Sequence, residues 1–236
     1  MGATRGRLPR GVPDDRRAGP PQAPIDLRVD AARDFAATAF RAAGMSDEDA
    51  ELMAANMLWA DLRGIDTHGV QRVPWYLKWF AEGLASPTAE LEILHEGPAF
   101  LSGDGHSGLG QIVATRFADR VIEKAKNDGL CLGLLRNSND WGCGAWYPCR
   151  AVDAGLLGIA TTTSVPTLAP WGSRNRLFGN NPIACAFPRR PPERPIVFDA
   201  ALTPVALGKV LRASAEGKEI PVDWGFRDHQ GEPTRD

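Results

Sequence analysis

The stretch Arg-Asn-Ser-Asn-Asp-Trp-Gly-Cys-Gly, residues 136–144, is the part of the chain on which the prediction of the fold depends most. It lies between an apolar run over 130–135, which predicts a β-strand, and a helical pattern over 145–154. Consecutive short polar side chains bond nearby backbone groups, so they are typical of turns and helix caps. They are equally typical of active sites, which in α/β folds form where strands give way to loops. The stretch alone leaves both interpretations open.

Composition narrows the classes of function. The 236 residues are 43% hydrophobic and 24% charged, which is ordinary for a globular protein. The formal net charge of −2 gives no basic surface for nucleic acid, so we predict no nucleic-acid partner. No apolar run approaches the roughly 20 residues that a membrane-spanning helix needs. We therefore predict no membrane partner and a cytoplasmic location.

Neither the first residues nor the cysteines carry a recognisable signal or site. Residues 1–24 are rich in Arg, Pro and Gly, lack the apolar core of a secretory signal, and are expected to form a disordered tail. Cys143 and Cys149 lie six positions apart, and no histidine cluster accompanies them. This spacing argues against zinc, so we predict no metal site and four reduced thiols.

Residues 25–95 have the pattern of a helical domain. Apolar residues recur every three or four positions from 27 to 43, which predicts one helix with a single apolar face. The acidic residues after Ser46 resemble a capping box, and they open a second helix that ends near Gly64. A third helix is predicted from Pro74 to residue 83.

The connection between the second and third helices carries the first candidate site residues. His68 precedes Arg72 by four positions, so the two side chains share a face if the turn is helical. A guanidinium grips a carboxylate at two points, while an imidazole exchanges a proton with a neighbouring oxygen. The pair therefore suits a 2-oxo or 2-hydroxy acid. The alternative is a surface His and Arg near the start of a helix.

A glycine-rich turn follows the helical domain. Gly103, Gly105 and Gly108 satisfy the G-x-G-x-x-G pattern of a Rossmann dinucleotide site, but we reject that fold. The preceding apolar run is too short for a central parallel strand. The strand over 130–135 is followed by Arg136 rather than by the acid that would hold a ribose.

The rest of the chain predicts an α/β domain over 96–236. Further strands are expected at 156–162, 183–187 and 196–198, the last two joined as a hairpin, and a helix is expected over 205–215.

Several separated segments resemble, in order, the motifs of the malate/L-lactate dehydrogenase type 2 family. The first is Asp61-Leu-Arg-Gly-Ile-Asp-Thr-His-Gly-Val-Gln-Arg with Pro74 and Tyr76. The others are Asp104-Gly-His-Ser-Gly-Leu-Gly-Gln, Arg136-Asn-Ser-Asn-Asp-Trp-Gly, Thr163-Ser164, Gly179-Asn-Asn-Pro-Ile and Phe198-Asp-Ala-Ala. This resemblance covers residues 25–236.

The resemblance implies an α/β fold that is not Rossmann, of the sulfolactate-dehydrogenase type, with N-terminal helices and a mixed-sheet cofactor domain. It implies hydride transfer between 2-hydroxy and 2-oxo acids, or related cyclic imines, with NAD or NADP, in a homodimer. By the same resemblance His68 and Asp140 are the catalytic candidates, and Thr67 and Arg72 bind the substrate. The implied cofactor contacts are Ser164, Phe198, Asp199 and Ala200.

Two departures from the family matter. Asp140 stands where the family motif has a His, and a carboxyl group with a pKa near 3.9 is a poorer base for an alcohol than an imidazole. We also expect the chain to be truncated, because family members continue well past residue 236. The absent part would leave apolar faces exposed around Phe35, Leu52 and Leu58. A catalytically impaired protein that only binds a ligand or a subunit is therefore the alternative to an active oxidoreductase.

Overall fold

The structure is a computed structural model that describes residues 26–170, 172–205, 209–210, 213–214, 216–228 and 230–235. The predicted tail over 1–24 lies outside these residues, and so does much of the helix predicted over 205–215. The described chain forms two compact units. The larger contains residues 26–161 and 182–200, and the smaller contains residues 162–181 and 201–235. The predicted division of the chain at residues 95 and 96 stays a prediction.

Three helices begin the larger unit, as the apolar periodicity predicts. They are α1 (Val29–Ala42), α2 (Asp47–Asp61) and α3 (Val73–Ala81). The predicted capping of α2 is confirmed, since Ser46 Oγ accepts a hydrogen bond from the Asp49 N–H at 3.1 Å. These three helices and the start of a fourth helix share one hydrophobic core. This core includes Phe40, Met53, Met57, Tyr76, Leu109 and Ile112.

The expected exposure of apolar side chains on the helices is only partly correct. The Phe35 side chain is 58% exposed, but Leu58 is buried and Leu52 is partly buried. The prediction was wrong for Leu58 because α2 is packed on more than one side. Buried residues occupy successive positions 56–58 of this helix instead of a single stripe.

A mixed sheet follows the helices. Its order is β1 (Glu92–Gly97), β2 (Phe100–Asp104) and β3 (Leu132–Arg136), with β1 antiparallel and β3 parallel to the central strand. Helix α4 (Gly110–Asp128) connects β2 to β3. The sequence did not predict β1, and the argument that the run before the glycine-rich turn is too short for a central parallel strand was wrong. Five residues suffice here because β2 pairs on both sides.

A second sheet is antiparallel throughout. It contains β4 (Gly158–Thr161), β5 (Ile183–Phe187) and β6 (Ile196–Ala200) in that order, and the predicted hairpin is confirmed. Helix α5 (Trp146–Asp153) packs against β4 and β5. Ala184 and Ala186 are buried, whereas Ile183 and Cys185 are partly buried and Phe187 is exposed, as expected for a sheet covered more fully on one face.

Among the described residues of the smaller unit, Leu168 and Phe178 form an isolated antiparallel bridge, and a short 3-10 turn spans Val222–Trp224. In the part of the chain that the structure describes, no helix is both long and apolar enough to cross a membrane. The four cysteines are free thiols.

Candidate active site

The loop after α2 carries His68 and Arg72 in two short turns. His68 ends a 3-10 turn at Asp66–His68, and Arg72 ends a second at Val70–Arg72. Gly69 separates the two turns in an extended conformation, so the continuous helical turn that would have put both side chains on one face does not form.

Asp61, the last residue of α2, holds this loop in place. Its Oδ2 accepts a hydrogen bond from the Val70 N–H at 2.9 Å. A Cβ atom on Gly69 would lie 1.6 Å from Asp61 Oδ1, so only glycine allows this close approach. The carboxylate therefore fixes the backbone between His68 and Arg72.

Arg72 forms a buried ion pair with Asp140. Its Nη1 lies 2.5 Å from Asp140 Oδ2, and the two side chains are only 14% and 18% exposed. Its Nε donates to the Thr67 carbonyl oxygen at 2.5 Å, and the guanidinium lies 5.1 Å from the ring centroid of Trp75. Thr67 also contacts the second candidate, since its Oγ1 lies 3.0 Å from His68 Nδ1. The structure thus brings four predicted residues, Thr67, His68, Arg72 and Asp140, into one neighbourhood.

The polar stretch after β3 positions Asp140 through backbone contacts. The Gly142 N–H donates to Asp140 Oδ1 at 2.8 Å, and Asn139 Oδ1 accepts from the Asp140 N–H at 2.9 Å. The Asp140 carbonyl oxygen accepts from the Gly110 N–H, at the start of α4, at 2.7 Å. The stretch is therefore a turn that also carries a residue of the candidate site, so the two interpretations of its sequence are compatible.

Two residues that were not predicted as site residues complete this network. Gln111 Nε2 donates to Tyr76 Oη at 2.7 Å, and Tyr76 Oη donates to Asp140 Oδ2 at 3.3 Å. Because the Gln111 amide donates to the phenolic oxygen, the phenolic proton points away from Gln111 and towards Asp140. Both residues stand in the quoted motifs, but no site role was predicted for either of them. Both are fully buried.

Burial and neighbouring charges set the protonation states of these groups. Burial lowers the pKa of His68 to about 4, and the Arg72 cation adds to this, while the Asp140 and Asp199 carboxylates oppose it. Burial alone would raise the pKa of Asp140, but Arg72, the Gly142 N–H and Tyr76 together lower it. Burial and the Asp140 charge raise the pKa of Tyr76. At neutral pH the imidazole is therefore neutral and Asp140 is a carboxylate.

The predicted cofactor residues are distributed over two places. Phe198, Asp199 and Ala200 are consecutive in β6, so Asp199 points to the face opposite the other two. Asp199 Oδ2 accepts from the Ala145 N–H, at the start of α5, at 2.7 Å, and from Cys143 Sγ at 3.5 Å. Asp199 therefore lies beside the end of the polar stretch 136–144, and the pKa of His68 responds to its charge.

Ser164 belongs to the smaller unit. Its Oγ donates to Asn180 Oδ1 at 2.5 Å, and its N–H donates to Asn181 Oδ1 at 3.1 Å. A Cβ atom on Gly179 would lie 2.1 Å from Ser164 Oγ, so this cluster requires glycine there. Within the described residues no group of three or more His, Cys, Asp or Glu side chains is arranged to hold a metal ion.

Known proteins resemble this chain over most of its length. The family model described as malate/L-lactate dehydrogenase matches residues 27–236. A malate dehydrogenase from Pyrococcus horikoshii is 38% identical over 183 residues, which are 78% of this chain and 50% of that protein. An L-sulfolactate dehydrogenase from Methanocaldococcus jannaschii is 35% identical over 193 residues, 82% of this chain and 55% of that protein.

The solved structures agree with the sequence comparison. The structure of malate dehydrogenase from Pyrococcus horikoshii OT3 superposes with a TM-score of 0.80 at 32% identity. The match covers 90% of this chain and 57% of that one. The chain thus spans about half the length of the curated relatives that it matches.

Proposed function

The chain belongs to the malate/L-lactate dehydrogenase family, and on that premise we propose that it transfers hydride between 2-hydroxy acids and 2-oxo acids with NAD or NADP. The relatives named above are dehydrogenases of malate and of sulfolactate, both of which are small 2-hydroxy acids. The non-catalytic alternative is not favoured by these relatives. The homodimer and the cytoplasmic location predicted from the sequence remain part of the proposal.

The observation that carries the proposal is the buried cation of Arg72 beside the His68 loop. Its hydrogen bonds to Thr67 and Asp140 use Nε and Nη1, and we propose that Nη2 binds the substrate carboxylate. A buried guanidinium binds a carboxylate more strongly than an exposed one, because less water competes. Arg72 is therefore the proposed anchor for the acid group of the substrate.

His68 is the proposed acid/base. In the tautomer in which Nδ1–H donates to Thr67 Oγ1, Nε2 carries a lone pair that can accept the proton of a 2-hydroxyl group. Its lowered pKa keeps the ring neutral at physiological pH, which is the form that a base requires. Thr67 thus orients the ring, while Arg72 sets the distance of the substrate from it.

A nicotinamide cofactor supplies or accepts the hydride when bound. The residues beside Asp199 fit such a group. Phe198 is 52% exposed and presents an aromatic face on β6. A Cβ atom on Gly144 would lie 3.0 Å from Asp199 Oδ1 and 3.1 Å from Trp141, so glycine keeps a narrow space open beside this carboxylate. We propose that Phe198, Asp199 and Ala200 contact the cofactor, and the contact predicted for Ser164, which belongs to the smaller unit, stays a prediction from the family resemblance.

The test is oxidation of NADH and of NADPH by this chain with a panel of 2-oxo acids that includes pyruvate, oxaloacetate and sulfopyruvate. We expect turnover with at least one of them. Arg72→Lys should raise the KM for that acid by roughly 10- to 100-fold, because the charged N–H donor that Nη2 offers to the substrate carboxylate is lost. Arg150→Lys, at an exposed ion pair with Asp119, is the matched control and should leave KM unchanged. Absence of oxidation with every acid by the folded chain would contradict the proposal.

A further inference from the structure

One oxygen of the Asp199 carboxylate is held by two groups from the segment just before α5. Oδ2 accepts a hydrogen bond from the Ala145 N–H at 2.7 Å and another from Cys143 Sγ at 3.5 Å. Both donors belong to buried residues, whereas the Asp199 side chain itself is exposed. The two hydrogen bonds therefore fix the direction of a side chain that would otherwise rotate in solvent.

The other oxygen of this carboxylate borders the space beside Gly144. A Cβ atom at this glycine would lie 3.0 Å from Asp199 Oδ1 and 3.1 Å from Trp141 Cζ2. The two hydrogen bonds that described residues donate to Asp199 both go to Oδ2. Oδ1 can therefore accept a hydrogen bond from a ligand in that space.

We propose that Cys143 is a positioning residue for the cofactor. Its thiol and the Ala145 N–H hold Oδ2 of Asp199, so that Oδ1 accepts a hydrogen bond from the nicotinamide half of the bound cofactor. This inference rests on the proposed function, in which Asp199 contacts the cofactor. It gives each oxygen of the carboxylate a separate task and gives the thiol a role that its position in the sequence did not indicate.

The thiol can have this role only while it carries its proton. Burial raises the pKa of Cys143 to about 12, and the charge of Asp199 contributes to the rise. At physiological pH Sγ is therefore a donor. A thiol is a weak donor, but the negative charge of its acceptor strengthens the hydrogen bond.

Cys143 is itself held in place by its surroundings. It lies in a small buried cluster that also contains Ala60 and Ala145. Its carbonyl oxygen accepts a hydrogen bond from the Trp146 N–H, in the first turn of α5, at 3.2 Å. Because the donor is already fixed, Asp199 loses less conformational entropy when the cofactor binds, and this should increase the affinity.

The charge of Asp199 acts near the proposed site of proton transfer. Burial lowers the pKa of His68, and the Asp199 carboxylate is among the charges that oppose this change. In the proposed reaction the nicotinamide ring must lie within about 3–3.5 Å of the substrate carbon whose oxygen exchanges a proton with His68. The nicotinamide half is therefore the part of the cofactor assigned to Oδ1.

The first test examines the hydrogen bond without any cofactor. Infrared spectra of the wild type and of Asp199→Asn, each compared with the same protein carrying Cys143→Ala, isolate the S–H stretching band of this thiol. The band should lie at higher frequency in Asp199→Asn, because a neutral amide oxygen is a weaker acceptor than a carboxylate. An unchanged band would overturn the inference even if the protein binds the cofactor.

The second test measures the dissociation constants of NADH and NADPH by fluorescence. Cys143→Ala should raise them about 3- to 10-fold, the usual worth of one hydrogen bond. Cys143→Ser keeps a donor and should restore most of the affinity. The affinity for ADP, which lacks the nicotinamide half, should be the same in all three proteins. Cys131→Ala is the matched control, since this thiol donates to the Leu132 carbonyl oxygen, and it should leave every dissociation constant unchanged.

The outcomes separate this inference from the proposed function. Wild-type affinity for the cofactor in Cys143→Ala, no recovery in Cys143→Ser, or an equal loss of affinity for ADP would each overturn the role of Cys143 and leave the proposed function in place. Binding of neither NADH nor NADPH by the folded wild type would overturn both.

Discussion

Arg72 Nη1 lies 2.5 Å from Asp140 Oδ2, although 68 positions separate the two residues in the sequence. The contact joins the loop between α2 and α3 to the polar stretch after β3. Because both side chains are largely buried, each is the principal partner of the other's charge. We therefore expect the stability of the helical part and the proposed chemistry of the candidate site to depend on the same pair.

The first prediction concerns the stability of this pair. Arg72→Leu should lower the free energy of unfolding by about 3–5 kcal/mol, because it leaves the Asp140 carboxylate buried without its cation. Arg150→Leu removes a partly exposed arginine that pairs with Asp119, and should cost about 1 kcal/mol or less. Urea unfolding at neutral pH measures both variants. Equal losses in the two would show that burial of the Arg72 pair has no special role.

The second prediction concerns pH. His68 has a pKa of about 4 in the folded chain against about 6.5 when unfolded. Between these values the unfolded state binds the additional proton, so stability rises with pH there and is lost as pH falls from 6.5 to 4. The total loss from this residue is about 3 kcal/mol.

The measurement is urea unfolding at several pH values from 7 to 4, for the wild type and for His68→Gln. The variant should show a shallower loss across that window, because the group that titrates differently has been removed. Parallel curves for the two proteins would mean that His68 is not buried in a neutral form.

The third prediction concerns the turn that presents Asp140. Gly142 has a φ of +69°, and a Cβ atom there would lie 2.9 Å from Asn56 Oδ1 and 3.0 Å from Gln111 Nε2. Gly155 also has a positive φ, +79°, but a Cβ atom there would meet no atom within 4 Å. An alanine at Gly155 therefore causes the same kind of backbone strain as one at Gly142, without the steric overlap. Gly142→Ala should therefore destabilise the chain by about 1–3 kcal/mol more than Gly155→Ala. Comparison of the two thermal midpoints checks this, and equal midpoints would refute the packing around Gly142.

The fourth prediction concerns Tyr76 and Gln111. Tyr76→Phe removes the acceptor of the Gln111 amide and a donor to Asp140, and should cost about 1–3 kcal/mol. A double-mutant cycle with Gln111→Leu measures their coupling. We expect a coupling free energy of about 1 kcal/mol, since the two residues are hydrogen-bonded and fully buried. A value indistinguishable from zero would exclude the proposed chain of hydrogen bonds.

Much of the fold follows from local sequence. The apolar period of α1, the cap of α2 at Ser46 and the hairpin of β5 and β6 are all visible without tertiary information, because each depends on residues close together in the chain. Strand β1 was missed because Glu92 to Gly97 includes two glutamates, a histidine and a glycine, which lack a clear alternation. Its pairing with β2, including a bulge near Ile93, comes from tertiary contacts.

The site was less accessible from sequence. The family motifs identified His68, Arg72 and Asp140, but the spacing of His68 and Arg72 suggested a helical turn where Gly69 separates two 3-10 turns. The direct bond between Arg72 and Asp140 required the fold, since no local pattern links two loops so far apart. Tyr76 and Gln111 stand in the quoted motifs, but no role was predicted for either. Both are buried in the core, where Gln111 Nε2 donates to Tyr76 Oη and Tyr76 Oη donates to Asp140.

The measurement that tests the central claim most directly follows the hydride itself. The chain would be incubated with NADH or NADPH deuterated at the transferable position of the nicotinamide, and with each candidate 2-oxo acid and cyclic 2-imino acid. Mass spectrometry and NMR would then locate deuterium in the product. We predict one deuterium on the carbon beside the carboxylate, and little or none with Arg72→Leu. Products without deuterium at that carbon, or no product from any acceptor with the folded chain, would contradict the assignment of hydride transfer to this site.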